Sequence, residues 1–446
     1  MRLRRMFAIW AARFAGFACK KMGRQGVTWA GKIALKLDPN ILKTLAGQVR
    51  KGIFVTCGTN GKTTTNNMLC AALEKEGYKV VCNHTGSNML NGVVAAFALA
   101  AGLGGNLDAD YACIEVDEAS TRRIFPHFKP DYMVLTNLFR DQLDRYGEID
   151  ITMNILKEVM QSAPNMKIIV NGDDALSAFL AMDSGNPYVT YGISEKVMDD
   201  KDSHEIREGR FCKKCGARLE YKFYHYSQLG DYACTGCDFK RPPIDFDATD
   251  VRVGDQLAFR VEGHPIAANY KGFYNVYNIL AAYVAGRTAG LSMEHFNDML
   301  KAFNPENGRM EQFRIKGTGI MLNLAKNPAG FNQNISAVMQ DNTKKDLIIV
   351  INDNAQDGTD ISWLWDVDFD RFRDANVNSI TVSGIRCQDM RLRLKYVDIP
   401  AMLEADVETA IRKRVEDGCG NLYVLVNYTA LFSTRNVLKK IEGEKA

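Results

Sequence analysis

The segment GIFVTCGTNGKTTTNNMLC, residues 52–70, determines how the rest of the chain is interpreted. Its first part, Ile53 to Thr56, is rich in β-branched residues and predicts a strand, and the periodic apolar residues after the glycines predict a helix. A strand, a glycine-rich turn and a helix in this order point several unpaired backbone N–H groups, and the positive end of the helix dipole, at one place. The segment therefore predicts a loop that binds a polyphosphate.

The residue types of the loop fit that task. Gly58 and Gly61 let the backbone close around phosphates, accessible Lys62 supplies a positive charge, and the Thr63 hydroxyl is suited to bind Mg²⁺. The spacing is shorter than in the common GxxxxGK[ST] pattern, so the prediction rests on the order of strand, loop and helix. We predict ATP and Mg²⁺ as cofactors. The predicted nucleotide-binding residues of the loop are Gly58, Thr59, Asn60, Gly61, Lys62, Thr63 and Thr64.

Length and composition limit the class of protein. The 446 residues are enough for about three domains. A formal charge of +3 is small for this length and gives no general reason to expect a nucleic-acid partner. Eleven cysteines without a secretory signal predict a reducing, cytoplasmic compartment, and no apolar run reaches the ~18 residues of a membrane span.

Residues 1–45 are predicted to be a basic amphipathic segment. Two interpretations explain its periodicity equally well: a helix that lies on an anionic membrane surface, and a helix that packs on the body of the protein. The basic side chains Arg2, Arg4, Arg5, Arg13, Lys20 and Lys21 are interspersed with the apolar side chains Phe7, Ile9, Trp10, Phe14 and Phe17.

Two further strands are predicted to end beside the loop. Residues 111–116 end in acidic side chains that include Glu115, and residues 132–136 are followed by Asn137. Because ligands of an open parallel sheet bind at the carboxyl ends of strands, we expect both side chains to face the loop. Glu115 is then a candidate Mg²⁺ ligand, and Asn137 is a candidate nucleotide-binding residue. The alternation of strands and helices predicts an α/β fold with a parallel sheet, in an ATP-binding domain over residues 46–312.

Two CxxC pairs interrupt this alternation in residues 205–242. Eighteen residues separate Cys212 and Cys215 from Cys234 and Cys237. Such pairs supply four thiolates for a closed tetrahedral Zn²⁺ site, which leaves no open position for chemistry. We predict a zinc ribbon that stabilises an insertion, with a rubredoxin-like iron site as the minor alternative.

A buried helix and a second α/β domain are predicted after the insertion. The helix begins with Asn275 and Asn278 on one face, and Asn275 either caps the helix or hydrogen-bonds an adenine. The segment FNPENGRMEQF, around Arg309, is predicted to be a boundary. Residues 313–446 alternate again between strands and helices, with strands near Met321 and at 347–352, 379–382 and 422–426.

An acidic loop follows the predicted strand at 347–351. The loop, INDNAQDGTDISWLWDVDFD, lacks the ligand spacing and closing Glu of an EF-hand. It is either solvated surface or, because Trp363 and Trp365 lie among its acids, a contact or active-site surface. Its acidic residues are Asp353, Asp357, Asp360, Asp366, Asp368 and Asp370.

Together the motifs resemble the Mur ligases, ATP-dependent ligases that build peptidoglycan stem peptides. GTNGKTTT, TNLFRDQLDRYG, GFYNVYNILAA, NGRME and LNLAKNPAG occur in the family's order. The resemblance implies that Lys62 and Thr63 bind ATP phosphates and Mg²⁺, and that Glu115 is a metal ligand. It also implies that Asn275 reads the adenine and that Arg309 reaches the nucleotide.

The four cysteines and the acidic loop narrow the resemblance to the synthetase half of lipid II isoglutaminyl synthase, whose other half is the glutaminase GatD. This resemblance implies a heterodimer that acts on lipid II at the inner face of the cell membrane. The α-carboxylate of D-glutamate is activated as an acyl phosphate, and ammonia from the glutaminase converts it to D-isoglutamine. The alternative is a Mur-type or folylpolyglutamate-type ligase that adds an amino acid.

The sequence departs from the family pattern at two motifs. Gln142 stands where Mur ligases usually have a histidine near Mg²⁺, and NLAKNP at residues 323–328 replaces the motif DYAHNP. Substrate handling in the last domain is therefore expected to differ. Lys157 lies sixteen residues after Asp141, where several Mur ligases carry a carbamylated lysine, although an ordinary surface lysine explains it equally well.

The resemblance also assigns a role to the acidic loop. A cysteine and histidine pair in a separate glutaminase works best when a carboxylate orients the imidazole. The chain has no recognisable glutaminase nucleophile of its own, and the resemblance favours an Asp of this loop as that carboxylate. We expect Asp357, exposed by a turn at Gly358, to have this role, with Asp360 second and Asp353 third.

Overall fold

The computed structural model describes residues 2–21, 27–141, 148–198, 207–254, 256–303, 310–354, 356–374 and 376–444. Of residues 20 and 21 only the backbone is described. Gln142 and Arg309, which carry two of the sequence-based assignments, lie outside these ranges. Within them, every helix is too short or too polar to cross a bilayer.

Three helices precede the phosphate loop: α1 (Arg2–Lys21), α2 (Val27–Leu37) and α3 (Ile41–Ala46). α1 buries Ala8, Ile9 and Ala12 in the same apolar cluster as Ala30 and Ala34 of α2. For this face of α1, the interpretation that the helix packs on the body of the protein is confirmed.

The strands and the remaining helices alternate along the chain. The strands are β1 (Gly52–Cys57), β2 (Val80–Cys82), β3 (Tyr111–Glu115), β4 (Tyr132–Leu135), β5 (Lys167–Asn171), β6 (Tyr188–Gly192), β7 (Leu219–Tyr226), β8 (Leu229–Cys234), β9 (Phe246–Asp247), β10 (Thr249–Val253), β11 (Leu257–Val261), β12 (His264–Ala268), β13 (Glu311–Ile315), β14 (Thr318–Leu324), β15 (Lys345–Val350), β16 (Val377–Ser383), β17 (Met402–Leu403) and β18 (Asn421–Val426). The helices are α4 (Lys62–Lys75), α5 (Leu90–Ala100), α6 (Thr121–Ile124), α7 (Ile149–Gln161), α8 (Ala175–Ser184), α9 (Tyr274–Thr288), α10 (Phe296–Ala302), α11 (Pro328–Met339), α12 (Cys387–Lys395), α13 (Val407–Glu416) and α14 (Tyr428–Gly443).

The central sheet surrounds the strand that leads into the loop. Among the described residues, seven strands form it in the order β2-β3-β1-β4-β5-β6-β9, and every pairing is parallel. Because β1 pairs with β3 on one side and β4 on the other, the carboxyl ends of β3 and β4 flank the loop after β1. This is the place where open α/β sheets bind ligands. The predicted α/β fold with a parallel sheet is confirmed.

A second sheet occupies the last part of the chain. In the described residues its order is β13-β14-β18-β15-β16-β17, with only β13 antiparallel to its neighbour. Four of these strands, β14, β15, β16 and β18, lie where the sequence predicted them, whereas β13 and β17 were not predicted. Between the two sheets in sequence, β7 and β8 form an antiparallel hairpin, and β10, β11 and β12 form a small antiparallel sheet. The exact domain limits remain predictions.

Two helical glycines provide a test of how closely the N-terminal helices pack. A Cβ added at Gly31 of α2 would lie 1.7 Å from the backbone oxygen of Asn91 in α5, whereas a Cβ at Gly16 of α1 would meet its nearest atom at 3.9 Å. Gly31→Ala should therefore lower the free energy of unfolding by about 1–3 kcal/mol. Gly16→Ala should leave it unchanged or raise it by about 0.5–1 kcal/mol, because alanine favours helix.

Thermal unfolding of the two variants, followed by circular dichroism, measures this difference. Equal unfolding midpoints for the two variants would contradict the close contact between α2 and α5.

Candidate nucleotide and metal sites

The loop between β1 and α4 has a backbone that only glycine allows at two points. Gly58 has φ 122° and Gly61 has φ 85°. A Cβ at Gly58 would lie 2.2 Å from the Thr136 hydroxyl oxygen, and one at Gly61 would lie 2.2 Å from Oδ1 of Asn278. Both glycines therefore allow a left-handed backbone and close approach of a neighbour.

Residues after β4 hold the loop in this shape. The N–H of Thr59 donates to the backbone oxygen of Asn137 (2.8 Å), and the N–H of Asn60 donates to Asn137 Oδ1 (2.9 Å). The hydroxyl of Thr136 donates to the backbone oxygen of Asn60 (2.7 Å). Asn137, predicted to bind the nucleotide, thus positions the loop that would bind it.

The first turn of α4 has no side-chain N-cap. Gly61 is the N-cap residue, and no side chain there accepts a hydrogen bond from the helix. The N–H groups of the first helical turn, which includes Thr63 and Thr64, point along the helix axis and carry its positive partial charge. This is the arrangement by which helix N-termini bind phosphate.

Lys62 is buried, so the prediction that it lies on an accessible loop is wrong. Its Nζ lies 3.0 Å from Oε1 of Glu118 and also donates to the backbone oxygen of Gly58. The same Oε1 accepts the N–H of Gly58 at 2.7 Å. Burial lowers the pKa of Lys62, but the carboxylates of Glu118, Glu115 and Asp117 outweigh it and raise that pKa. Lys62 is therefore a fixed ammonium within the loop.

Glu118 is a residue that sequence reasoning missed as a partner of Lys62. Burial raises the pKa of the Glu118 carboxyl, against the opposite effect of the Lys62 ammonium. Its only signal in the sequence was its place in an acidic run after β3, and nothing local distinguishes it from Asp117. Asp117 instead caps the short 3₁₀ helix Glu118–Ser120, accepting the N–H of Ser120.

Glu115 presents an oxygen with the properties of a metal ligand. Oε1 accepts the side-chain N–H of Asn88 at 2.8 Å, whereas Oε2 is buried and has no hydrogen-bond partner among the described residues. A Cβ placed on Gly86 would lie 3.3 Å from this Oε2 and 3.4 Å from the Thr63 hydroxyl oxygen. Both predicted Mg²⁺ ligands therefore border the same space, and two oxygen donors suit Mg²⁺.

The two asparagines of α9 lie against the loop. Asn275 donates to the backbone oxygen of Lys271 (2.8 Å) and accepts from Nδ2 of Asn278 (3.0 Å). The first bond is a donation to the preceding turn, and the N-cap residue of the helix is Phe273, with no side-chain cap. The interpretation of Asn275 as a helix cap is therefore wrong, and its contact with an adenine stays a prediction. Because Asn278 borders Gly61, α9 forms a wall of the candidate nucleotide site.

Polar contacts connect the candidate site to the C-terminal sheet. The side-chain amides of Asn60 and Asn327 bond each other at 3.0 and 3.2 Å, and Nζ of Lys326 lies 3.0 Å from Oδ2 of Asp141. Arg140 adds an ion pair with Asp366 (3.3 Å). Sequence reasoning missed these pairs because their partners lie far apart in the chain. Beside the loop, a small pocket is lined by Thr59, Glu118, Phe139, Arg140, Asp141, Ile149 and Thr152.

Lys157 forms a surface ion pair in α7. Its Nζ lies 2.6 Å from Oδ2 of Asp183, and 36% of its side chain is exposed. This geometry is that of an ordinary surface lysine, one of its two interpretations.

The acidic loop places its carboxylates differently from the prediction. Asp357 is 3% exposed, so the expected exposure at the Gly358 turn is wrong. Its Oδ1 accepts the N–H of Thr429 (2.7 Å) and its other oxygen accepts the Thr429 hydroxyl, so the side chain caps the first turn of α14. Burial raises the pKa of Asp357, against the bonds from Thr429. Asp360 accepts from the N–H and the hydroxyl of Ser362, and Asp353 lies 3.3 Å from Arg386.

The two tryptophans of this loop also differ from each other. Trp363 is buried against Phe331, which corrects the expectation of a contact surface at this residue. Trp365 is half exposed and packs on Tyr396 and the Arg393 guanidinium.

The four cysteines of the insertion come together. The Sγ atoms of Cys212 and Cys237 are 3.6 Å apart, those of Cys215 and Cys234 are 3.4 Å apart, and all four lie within 4.8 Å of one another. Thiolates at ~2.3 Å from a tetrahedral ion lie about 3.8 Å apart, so the donor set fits a closed metal site. His225 is buried away from the thiols, with Nε2 3.2 Å from the backbone oxygen of Ile193, and burial lowers its pKa.

The hairpin of the insertion reaches the end of β4. At its tip, Nε2 of Gln228 donates to the backbone oxygen of Leu138 (2.8 Å) and to Oδ1 of Asp174 (2.7 Å). Leu138 in turn donates its N–H to Oδ2 of Asp174. The insertion therefore braces the segment that positions the phosphate loop.

Comparisons with known proteins agree with this geometry. A family model described as Mur ligase middle domain matches residues 55–286, and one described as MurT ligase C-terminal matches residues 324–431. The lipid II isoglutaminyl synthase (glutamine-hydrolyzing) subunit MurT of Staphylococcus aureus (strain COL) is 36% identical over 431 residues, 96% of each chain. The chain belongs to the MurT family of Mur ligases. The family resemblance predicted from the motifs is thereby confirmed.

Two further proteins are similar to this chain. The MurT subunit of Streptococcus pneumoniae (strain ATCC BAA-255 / R6) is 33% identical over 98% of each chain. A pseudomurein peptide ligase type C from Methanothermus fervidus is 23% identical and superposes with a TM-score of 0.71, covering 89% of this chain and 80% of its own. That similarity shows a Mur ligase fold.

The buried Lys62 pair gives a test of this MurT-family site. Lys62→Met should lower the free energy of unfolding by about 3–5 kcal/mol, because it leaves the Glu118 carboxylate buried without its counter-ion. Adding Glu118→Gln should restore most of that loss, because the amide oxygen still accepts from Gly58. Lys157→Met, which breaks an exposed pair, is the matched control and should cost less than about 1 kcal/mol.

Urea unfolding of the single and double variants measures the coupling between Lys62 and Glu118. If Lys62→Met and Lys157→Met destabilise equally, the buried pair does not exist as described.

Proposed function

We propose that this chain is an ATP-dependent ligase that converts the α-carboxylate of D-glutamate in the stem peptide of lipid II to the amide of D-isoglutamine. The observation that carries the proposal is its relationship, over nearly the full length of both chains, to proteins named as glutamine-hydrolysing lipid II isoglutaminyl synthase subunits. The phosphate loop and the buried Glu115 oxygen supply the site that such a ligase needs.

Each residue of the loop would have a separate role in phosphoryl transfer. Gly58, Gly61 and the first turn of α4 would hold the β- and γ-phosphates of ATP, and the Lys62 ammonium would balance their charge. Thr63 and Glu115 would hold Mg²⁺, which when bound neutralises charge on the transferring phosphoryl group. Asn275, on the wall that α9 forms, and Arg309, which lies outside the described residues, are proposed to contact the nucleotide.

The proposed reaction has two steps. A carboxylate oxygen of D-glutamate attacks the γ-phosphorus of ATP, forming an acyl phosphate and releasing ADP. Ammonia then attacks the acyl carbon, the phosphate leaves with its bridging oxygen, and the nitrogen loses a proton to give the amide. The pocket beside the loop, which Thr59 and Asp141 line, is the proposed site for the carboxylate that accepts the phosphoryl group.

Ammonia is proposed to come from a separate glutaminase subunit that resembles GatD, in a heterodimer. The relatives are named as subunits of a glutamine-hydrolysing enzyme, and this sequence has no recognisable glutaminase nucleophile. The complex would act in the cytoplasm at the inner face of the membrane that holds lipid II.

The alternative function is a ligase that adds an amino acid, as other Mur ligases do. With NLAKNP in place of DYAHNP, Lys326 pairs with Asp141 beside the phosphate loop, so we propose that substrate handling differs from that of the ligases that add an amino acid. An assay with lipid II and ATP separates the two: ammonium should support product formation and free amino acids should not.

Glu115 provides a test of the proposed Mg²⁺ ligand. Glu115→Ala should abolish amidation, with partial recovery at high Mg²⁺, because the remaining ligand binds the ion less tightly. Independently of activity, Mg²⁺ with a non-hydrolysable ATP analogue should raise the unfolding midpoint of the wild type more than that of the variant. Glu294→Ala, at an exposed site, is the control. If Mg²⁺ raises the unfolding midpoint of Glu115→Ala as much as that of the wild type, Glu115 is not a Mg²⁺ ligand.

We further propose that the four cysteines bind one structural Zn²⁺. Freshly purified protein should contain about one equivalent of zinc, and Cys212→Ser or Cys234→Ser should lose it. Because structural zinc contributes directly to folding, lower stability should precede lower specific activity in these variants. Cys19→Ser, outside the cluster, is the control. Less than about half an equivalent of zinc in chelator-free protein would contradict the proposal.

An Asp of the acidic loop is proposed to orient the catalytic histidine of the glutaminase. Asp357 remains the first candidate and Asp360 the second, although Asp357 would first have to exchange its bonds to Thr429. The substitution Asp357→Asn keeps an acceptor for the Thr429 N–H and removes the charge, so α14 should stay capped.

Asp357→Asn should lower glutamine-dependent amidation by about two to four orders of magnitude and leave complex formation and ammonium-driven amidation largely intact. Asp360→Asn is compared in the same assay, and Asp370→Asn serves as control in the same segment. Equal loss of ammonium-driven activity would place the residue in the synthetase site and refute the shared catalytic group.

A further inference from the structure

The first helix is apolar on two opposite faces. One face is buried against the body of the protein through Ala8, Ile9 and Ala12. On the opposite face, five large apolar side chains remain between 44% and 74% exposed, and we call them the outer stripe: Leu3, Phe7, Trp10, Phe14 and Phe17. At 3.6 residues per turn, the positions 3, 7, 10, 14 and 17 fall within an arc of about 80°.

The outer stripe continues onto neighbouring elements. The indole N–H of Trp10 donates to the backbone oxygen of Leu103 at 3.0 Å, and both Leu99 and Leu103 are exposed beside α1. The guanidinium of Arg13 donates to the backbone oxygens of Leu99 and Ala101, which fixes α1 to the end of α5. The stripe is thus held rigidly on the body, and the polar atom of Trp10 is already satisfied.

The charge around the stripe has one sign. Residues 1–37 contain nine Lys and Arg and no Asp or Glu, although the whole chain has a net charge of only +3. Arg2, Arg4 and Arg5 lie in the first turn of α1, which contains no acidic residue. Cations at this end oppose the helix dipole, so they do not serve the stability of the helix. Arg2 and Arg4 are exposed, although Arg4 also donates to the backbone oxygen of Leu37, whereas Arg5 is partly buried.

We propose that the outer stripe of α1 inserts into the surface of an anionic lipid bilayer, with α1 lying in the plane of the membrane. A helix of 20 residues with an exposed aromatic stripe and flanking arginines has the form of an interfacial anchor. No described helix is suited to span the bilayer. The proposal does not depend on the proposed function, because it concerns the surface of α1 alone.

Co-sedimentation of the full-length chain with lipid vesicles tests the anchor. The wild type should bind vesicles that contain about one third phosphatidylglycerol at least about tenfold more tightly than pure phosphatidylcholine vesicles, and high salt should weaken this binding. Phe14→Ser combined with Phe17→Ser should weaken binding to the anionic vesicles by about tenfold or more. Ile151→Ser combined with Leu392→Ser, which removes two exposed apolar side chains elsewhere, should not change it.

Two measurements distinguish insertion of the stripe into a bilayer from two alternatives, which are a loss of folding in the variant and self-association through the stripe. Circular dichroism should show equal helix content and unfolding midpoints for both double variants, because all four side chains are exposed. Sedimentation velocity without lipid should show no self-association that depends on Phe14 and Phe17. Equal vesicle binding by the two double variants, or self-association that only the stripe variant abolishes, would overturn the proposal.

Discussion

The Glu118 carboxylate accepts a hydrogen bond from the N–H of Gly58, the first glycine of the phosphate loop. It also forms an ion pair with Lys62, which follows the second glycine. Through these contacts, Gly58 and Lys62 are fixed to the carboxyl end of β3. Asn137 fixes the middle of the loop to the end of β4. Because the desolvation of a buried charge is costly unless it is paired, this carboxylate and ammonium stabilise the loop only together. The other side chains that are proposed to bind ATP or Mg²⁺ lie around this loop.

Much of the nucleotide site was predictable from the sequence, for a physical reason. A strand, a glycine-rich turn and a helix are local features, and the glycines at 58 and 61 are required by backbone angles that the turn itself imposes. The strands of both sheets and the spacing of the CxxC pairs are equally local signals. The parallel sheet then places the ends of β3 and β4 beside the loop, which made Glu115 and Asn137 identifiable.

The parts that sequence reasoning missed depend on contacts between distant residues. Lys62 was expected to be accessible, because nothing near it in the chain shows that Glu118 folds over it. Asp357 has the local sequence of an exposed turn residue, because Gly358 follows it. It is nevertheless buried, because it accepts the N–H of Thr429, 72 residues away, and caps the first turn of α14. Trp363 is buried because Phe331 of another helix packs on it. A local pattern contains none of this information.

The contacts between the two sheets give the ligase a route for coupling its substrates. Asn60 in the loop bonds Asn327 at the start of α11, and Arg140 pairs with Asp366 in the acidic loop. These contacts would couple the phosphate loop to the region where the partner is proposed to bind only if both pairs change together. Such coupling requires two arrangements of these contacts that ligands favour unequally.

The formation of an acyl phosphate is the central claim, and the transfer of oxygen from substrate to phosphate measures it directly. Lipid II whose D-glutamate α-carboxylate carries a heavy oxygen isotope at both oxygens would be incubated with the chain, its partner, ATP and ammonium. The account predicts that each phosphate released with an amide contains one labelled oxygen from the carboxylate, as detected by mass spectrometry. Amide formation with unlabelled phosphate would contradict it.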